Sequence, residues 1–178
     1  MEVRVKEQIV EKKINRNWIN VIVFIIFFIA LMQIVNIVII NNIIDSKVII
    51  NGVLSLTYYE NTGGAFGVGQ GDTIGFTIIS IIVIAIIIRF IVLQRDRINN
   101  KTMVALELII AGGISNLIDR LFRGFVVDYI DINQLIKFPI FNLADICISI
   151  GWIILVVSII IFWFKEVRTL DRNKKNEA

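Results

Sequence analysis

Four runs of about twenty apolar residues constrain this chain more than any other feature, because a helix needs that length to cross a hydrocarbon core about 30 Å thick. They occupy 18–40, 74–93, 102–121 and 140–163. The apolar residues are clumped rather than periodic, and hydrophobic types make up 57% of 178 residues. With a mean hydropathy of +0.81, that is too apolar for a water-soluble domain of this length. The third run is the weakest, since it carries Glu107, Asn116 and Asp119. The sequence therefore predicts a mainly α, polytopic membrane protein: four transmembrane helices in a single membrane domain over 1–178. The first run is expected to stay in place, being too long for a removable signal peptide and followed by no A-x-A-like cleavage site.

Lysine and arginine set the orientation. The leader 1–17 carries Arg4, Lys6, Lys12, Lys13 and Arg16, and the 94–101 loop carries Arg95, Arg97 and Lys101. The tail 164–178 adds Lys165, Arg168, Arg172, Lys174 and Lys175. Segment 41–73 has only Lys47, and 119–139 has Arg120, Arg123 and Lys137. Both termini are thus predicted in the cytoplasm, with 41–73 and 122–139 on the outer side. Arg89, near the inner end of the second span, can snorkel out. The net charge of +3 reflects this sorting and gives no argument for nucleic acid. Cys147 is the only cysteine and falls on the fourth span, which excludes an intramolecular disulfide.

The outer segments are too long and too β-prone for plain connectors. "KVIINGVLSLTYYE" surrounds Asn51-Gly52, a two-residue hairpin signal, and the glycine-rich "ENTGGAFGVGQGD" follows. A small β-rich platform on the outer membrane face is expected, with Phe, Tyr and Leu at the headgroup level; an ordinary Asn-Thr-Gly turn fits 61–63 equally well. Gly124 ends the third helix, and "FVVDYIDI" puts Asp128 on a short non-helical segment. Pro139, the only proline, marks the entry to the fourth span.

Two polar faces meet at one depth. Asn116, Asp119 and Arg120, at i, i+3 and i+4, share a face near the outer end of the third helix. Gly112, Gly113 and Ser115 before them permit close helix packing. Asn142 and Asp145 start the fourth helix, with Asp145 a turn or so below its outer end. Structural readings exist for most of these. Asn142 with Asp145 fits a helix cap, and Asp119 beside Arg120 fits a pair that locks the loop. Glu107 fits an interhelical hydrogen bond. Asp128 offers no cap and has no adjacent cation, and an ionisable residue at membrane depth points to function.

With no histidine in the chain, Ser-His-Asp and Cys-His catalysis and histidine-rich zinc sites are excluded. Carboxylates remain. Two of them a few ångströms apart cannot both ionise, so one keeps a proton near neutrality. The ionised partner can then deprotonate a water while the protonated one polarises a carbonyl. "GQGD" (69–72) matches a GxGD pattern found in one class of intramembrane aspartyl proteases. Asp72 nevertheless precedes the second span in a loop, and it reads as a turn and helix N-cap.

"NTGGAF" (61–66), "GGISNLIDRLFRGFVVDYIDI" (112–132) and "FNLADICISIG" (141–151), in this order within a four-span chain, resemble lipoprotein signal peptidase, the signal peptidase II family. The resemblance implies an aspartic endopeptidase of the bacterial cytoplasmic membrane. Its substrate would be a prolipoprotein with diacylglycerol on its lipobox cysteine, cut just before that cysteine. By position, Asp128 and Asp145 match the catalytic pair, and Asn61, Gly63, Asn116, Asp119, Arg120 and Asn142 match the positions around it. No metal and no cofactor are implied. The expected partners are the prolipoprotein and membrane lipids, with the enzyme a monomer. Members usually carry Asp-Gln-x-x-Lys in the first helix. Here Met32-Gln33-Ile34-Val35-Asn36 lacks both charges, and Gln33 and Asn36 are expected to form a neutral hydrogen-bonded pair.

Two other classes of protein share part of this pattern. A small transporter or channel subunit would also bury carboxylates, but these aspartates cluster at one face and no inverted repeat is visible. A non-catalytic membrane adaptor would tolerate Asp128→Asn and Asp145→Asn.

Overall fold

A computed structural model of the chain describes residues 17–64, 68–94 and 97–177. The leader cations up to Arg16, the loop's Arg95, and Ala65 and Phe66 of the NTGGAF block lie outside the described residues. Among the described residues, four helices are long and apolar enough to cross a membrane: α1 (Trp18–Asn42), α2 (Thr73–Gln94), α3 (Asn100–Arg123) and the first 23 residues of α4 (Leu143–Glu177). Three strands, β1 (Lys47–Ile50), β2 (Leu54–Asn61) and β3 (Val126–Asp131), form one antiparallel sheet in that order. Connectivity puts the sheet at one end of the bundle: it follows the C-terminal ends of α1 and α3 and precedes the N-terminal ends of α2 and α4. The chain is therefore a multi-pass membrane protein with a small β platform.

The least apolar helix is the central one. About two thirds (67%) of α3's most apolar stretch is buried inside the protein, against 17%, 11% and 11% for α1, α2 and α4. Those three turn most of their surface outward and shield α3 from lipid, which is how it keeps Glu107, Asn116 and Asp119 buried. Close packing of α3 on α4 needs glycine on both sides. A Cβ at Gly112 would lie 2.5 Å from the Ala144 carbonyl oxygen, and one at Gly151 would lie 2.6 Å from that of Ala105. Met32, Leu108, Ala111, Ala144 and Cys147 fill the seam among α1, α3 and α4, so the lone cysteine is a packing residue.

The local stops follow from backbone chemistry. Gly124 closes α3 in the left-handed region at φ 84°, its N–H donating to the Arg120 carbonyl at 3.1 Å. Asp72 caps α2 by accepting from the Gly75 N–H at 3.0 Å, as expected for the GQGD segment. The β1–β2 turn uses three residues rather than two. Gly52 sits there at φ 73°, and Val53 N–H reaches the Ile50 carbonyl at 3.0 Å.

The fourth helix starts later than the apolar run predicts. Residue 140 is still extended, and Phe141 bridges Ile130, its carbonyl accepting from Tyr129 N–H at 3.0 Å and Ile130 N–H at 2.7 Å. Pairing with β3 competes successfully with helix up to that point, and the helix begins at Leu143. Asp145 consequently lies in the first turn of α4. Ile39 and Ile43 at the end of α1 pack with Val127 and Tyr129, docking the sheet on the bundle.

Candidate active site

The pleat of the sheet brings the first polar pair together. Asp128 stands opposite Tyr59 in the β2–β3 ladder and Asn61 stands opposite Val126. Residues two apart along a strand share a face, so Asn61 and Asp128 are diagonal neighbours on one side of the sheet. Asn61 Nδ2 donates to Asp128 Oδ2 at 2.9 Å. The Asn61 oxygen in turn accepts from Gly63 N–H at 2.9 Å and from Gln70 Nε2 at 3.1 Å, which fixes which way the amide faces.

The cap of α4 brings in the second carboxylate. Asn142 N–H donates to Asp145 Oδ2 at 3.1 Å, and Asp145 N–H donates to Asn142 Oδ1 at 2.9 Å. This is a reciprocal capping box. It leaves the Asn142 amide nitrogen to reach outward, donating to Asp128 Oδ1 at 2.8 Å and to Asn116 Oδ1 at 3.1 Å. Asn116 Nδ2, from α3, completes the ring by donating to Asp145 Oδ1 at 2.9 Å. The capping and polar-cluster readings of Asn142 are thus both correct, because one side chain does both jobs.

Every hydrogen bond assigned to these two carboxylates comes from an amide: Asn61, Asn116 and Asn142 side chains and the Asn142 backbone. Arg120 is the nearby cation, but its Nη2 donates to the Gly63 carbonyl at 2.9 Å, and its guanidinium lies 5.8 Å from the Phe76 ring centroid. It braces the 61–64 turn instead of pairing with an aspartate. Gly63 is buried under backbone, and a Cβ there would meet the Val68 carbonyl oxygen at 2.6 Å. Burial, and then the neighbouring Asp145, push the Asp128 carboxyl up to about 7; the Asn61 and Asn142 amides and Arg120 oppose the shift.

The pair faces a groove of about 1090 Å³. Its lining mixes polar Tyr59, Asn61, Gln70 and Asn133 with apolar Phe138, Ile146, Ile148 and Ile150. Chemically, the arrangement offers two carboxyls able to share a proton beside a space lined by both polar and apolar side chains.

Asp119 is not part of this groove. Positions i, i+3 and i+4 suggest a common face with Asn116 and Arg120, yet Asp119 turns toward α1 and its ion-pair partner is Arg123, one helical turn on. Arg120, at i+1, points about 100° away around the helix. Gln33 and Asn36 do not pair with each other either; both donate to Asp119, at 3.1 and 2.9 Å. Sequence reasoning missed Arg123, although its i+4 spacing from Asp119 was a usable signal. It also missed Gln70 and Tyr129, whose hydroxyl accepts from Leu143 N–H at 3.2 Å, and the pattern of the chain gives no signal for either.

Four spanning helices with a polar groove at one end define the class: an integral membrane protein with its candidate site at the end of the bundle. Two solved structures, each of a bacterial membrane enzyme determined by the in meso method, are 33% identical to this chain and cover 79% of it. Their TM-scores are 0.73 and 0.70, with 87% and 92% of those chains covered. A family model for signal peptidase (SPase) II matches residues 22–161. The lipoprotein signal peptidase of Clostridioides difficile is 36% identical over 147 residues, covering 82% of this chain and 97% of its own. That of Lactococcus lactis subsp. lactis is 40% identical over 116 residues, 65% of this chain and 75% of its own. The chain belongs to the signal peptidase II family, and so to the proteases.

Proposed function

We propose that this protein is an aspartic endopeptidase that removes the signal peptide from diacylglyceryl-modified prolipoproteins, cutting just before the lipobox cysteine. Family membership supports the reaction. The observation that carries the aspartic mechanism is the amide-bound pair of Asp128 and Asp145 on one groove, in a chain without histidine.

At neutral pH the pair holds one proton, because desolvation and mutual repulsion disfavour two charges. The ionised member takes a proton from a water, whose oxygen attacks the scissile carbonyl carbon. The protonated member gives its proton to the carbonyl oxygen. Collapse of the tetrahedral intermediate returns a proton to the departing amine of the cysteine, leaving a carboxylate on the signal peptide. Asn61, Asn116 and Asn142 hold the carboxyls in register throughout, Arg120 with Gly63 shapes the turn above them, and Asp119 acts from behind β3. The apolar lining that Ile146, Ile148 and Ile150 contribute suits a substrate whose signal helix and acyl chains arrive from the bilayer.

The enzyme would work as a monomer and a single membrane domain in the bacterial cytoplasmic membrane, since one chain supplies both carboxyls and the groove. Both termini would be cytoplasmic and the platform outside. Two of the three cations in 119–139 are tied into the protein, Arg120 on Gly63 and Arg123 on Asp119, which strengthens the charge asymmetry between the two ends. The deciding experiment is cleavage by the purified protein of two lipobox peptides, one with a diacylglyceryl cysteine and one without. A single cut before the modified cysteine supports the reading. Ion flux in proteoliposomes with no peptide product would replace it with a transporter.

A further inference from the structure

Asp119 is fully buried, and each of its carboxylate oxygens accepts two hydrogen bonds. Oδ1 takes Gln33 Nε2 at 3.1 Å and Arg123 Nη1; Oδ2 takes Asn36 Nδ2 at 2.9 Å and the Val127 N–H at 3.1 Å. Arg123 also donates to Gln33 Oε1 at 3.1 Å, so the guanidinium dictates which end of the Gln33 amide faces Asp119. One carboxylate thereby joins α1, α3 and the start of β3.

Val127 immediately precedes Asp128. On the edge of β3 away from β2, Asp119 takes the Val127 N–H, while the Phe141 carbonyl takes those of Tyr129 and Ile130. Asp128 is bracketed by these two anchors. Its own hydrogen bonds to Asn61 and Asn142, at 2.9 and 2.8 Å, demand a fixed height of the strand. A displacement of about 1 Å at a reacting group can cost on the order of 100-fold in rate.

We propose that Gln33, Asn36 and Arg123, acting through Asp119, are positioning residues for Asp128: together they clamp the start of β3 so that its carboxyl meets Asn61 and Asn142. The assignment rests on the reading of Asp128 as a catalytic acid. Burying Asp119 as an ion requires a cation and a full set of donors, and this chain supplies them from residues that touch neither the groove nor the dyad. Arg123 sets the charge, the α1 amides set the height, and the Val127 N–H carries that height to the next residue.

The test uses the full chain in detergent, the diacylglyceryl lipobox peptide, and the variants Arg123→Met, Arg123→Lys and Asn36→Leu. Rate, KM, the pH dependence of kcat and melting temperature are read for each. Arg123→Met and Asn36→Leu are expected to lose about 10- to 100-fold in kcat with KM within about twofold, and Arg123→Lys to recover most of it. The alkaline limb of kcat should also move to higher pH, because a displaced Asp128 loses the Asn61 and Asn142 donors that favour its ionised form. Asp145 from α4 and Arg120 from α3 still face it. Asn36→Leu changes no charge, so a shifted limb there reports geometry. Variants that melt earlier but keep the parental kcat and limb well below their melting point would overturn the clamp and leave Asp119 a brace. If Arg123→Met does not fold, Asn36→Leu gives the same decision. An inactive parent protein overturns the peptidase reading itself, and the clamp with it; an active parent with unaffected variants overturns the clamp alone.

Discussion

Two carboxylate sites lie at the same end of the bundle, separated by one strand, and they are built on opposite principles. Asp119 and Asp128 are equally buried, at 0% and 1% exposure, so burial does not distinguish them. Partners do. Asp119 sits on a guanidinium, two side-chain amides and a backbone N–H, with every oxygen position used and no groove beside it. Asp128 has two amide donors, a second carboxylate as neighbour, and open volume in front. The first environment uses all of its acceptor positions in tying helices to the sheet; the second leaves Asp128 able to exchange its proton near neutral pH, which is what an acid–base group needs. A paired and saturated carboxylate holds the fold, and an amide-bound, unpaired one is available for chemistry.

The contrast can be broken most forcefully at the dyad. Asp128→Asn and Asp145→Asn should each lower cleavage by at least about 1,000-fold, since each removes a proton donor or acceptor from the reaction; product quantified by mass spectrometry would show it. Residual activity within about tenfold of the parent would move the chemistry elsewhere. Asp119→Leu should instead strike stability, by about 1–3 kcal/mol, because the buried Asn36 amide and Val127 N–H lose their acceptor; denaturant unfolding in detergent measures this. Asn142→Ala lies between the two. It removes both a cap, worth about 1 kcal/mol, and the amide between the carboxyls, and a fall of about 10- to 100-fold in kcat is expected alongside the lower unfolding midpoint.

The smallest effects are those of pH. Asp128 near 7 implies that the singly protonated pair disappears above that value, so kcat should fall about tenfold per unit at high pH. An alkaline limb unchanged to pH 9 would rule out Asp128 as the proton holder. Stability follows the same proton. The folded value lies above the unfolded one of roughly 3.9, so the Asp128 contribution present below that value is lost as pH rises through 7. Asp128→Asn should therefore melt no lower than the parent at pH 8, in contrast to Asp119→Leu, with its advantage vanishing near pH 4.

Much of the architecture was legible in the sequence, because membrane spans depend on length and composition and little else. The Gly124 stop, the Asp72 cap and the non-helical segment that carries Asp128 were readable from local chemistry, but the bounds and pairing of its strand were not. The meeting of Asp128 and Asp145 at one end was readable from topology. What failed were inferences that treat a helix as two-sided. Helix α3 is buried nearly all round, so Asn116 and Arg120 serve α4 and the platform while Asp119, only three residues from Asn116, serves α1. The fourth helix was misjudged at its start because apolar residues at 140 and 141 fit a strand pairing as readily as a membrane helix. Gln33 and Asn36 were visible as a polar pair, but their common acceptor lies more than 80 residues away.

The placement of α3 bears on the order in which the protein assembles. A segment carrying Glu107, Asn116, Asp119, Arg120 and Arg123 partitions poorly into lipid by itself. It becomes stable there only when α1 supplies Gln33 and Asn36, and when α4 closes over Gly112. During synthesis α1 is already in the bilayer when α3 emerges, but α4 is not, so α3 waits with its last face uncovered. The carboxyl of Asp145 arrives with the helix that ends this wait. A chain arrested before its fourth span would hold Asp128 without Asp145: the two carboxyls meet in the same event that completes the bundle.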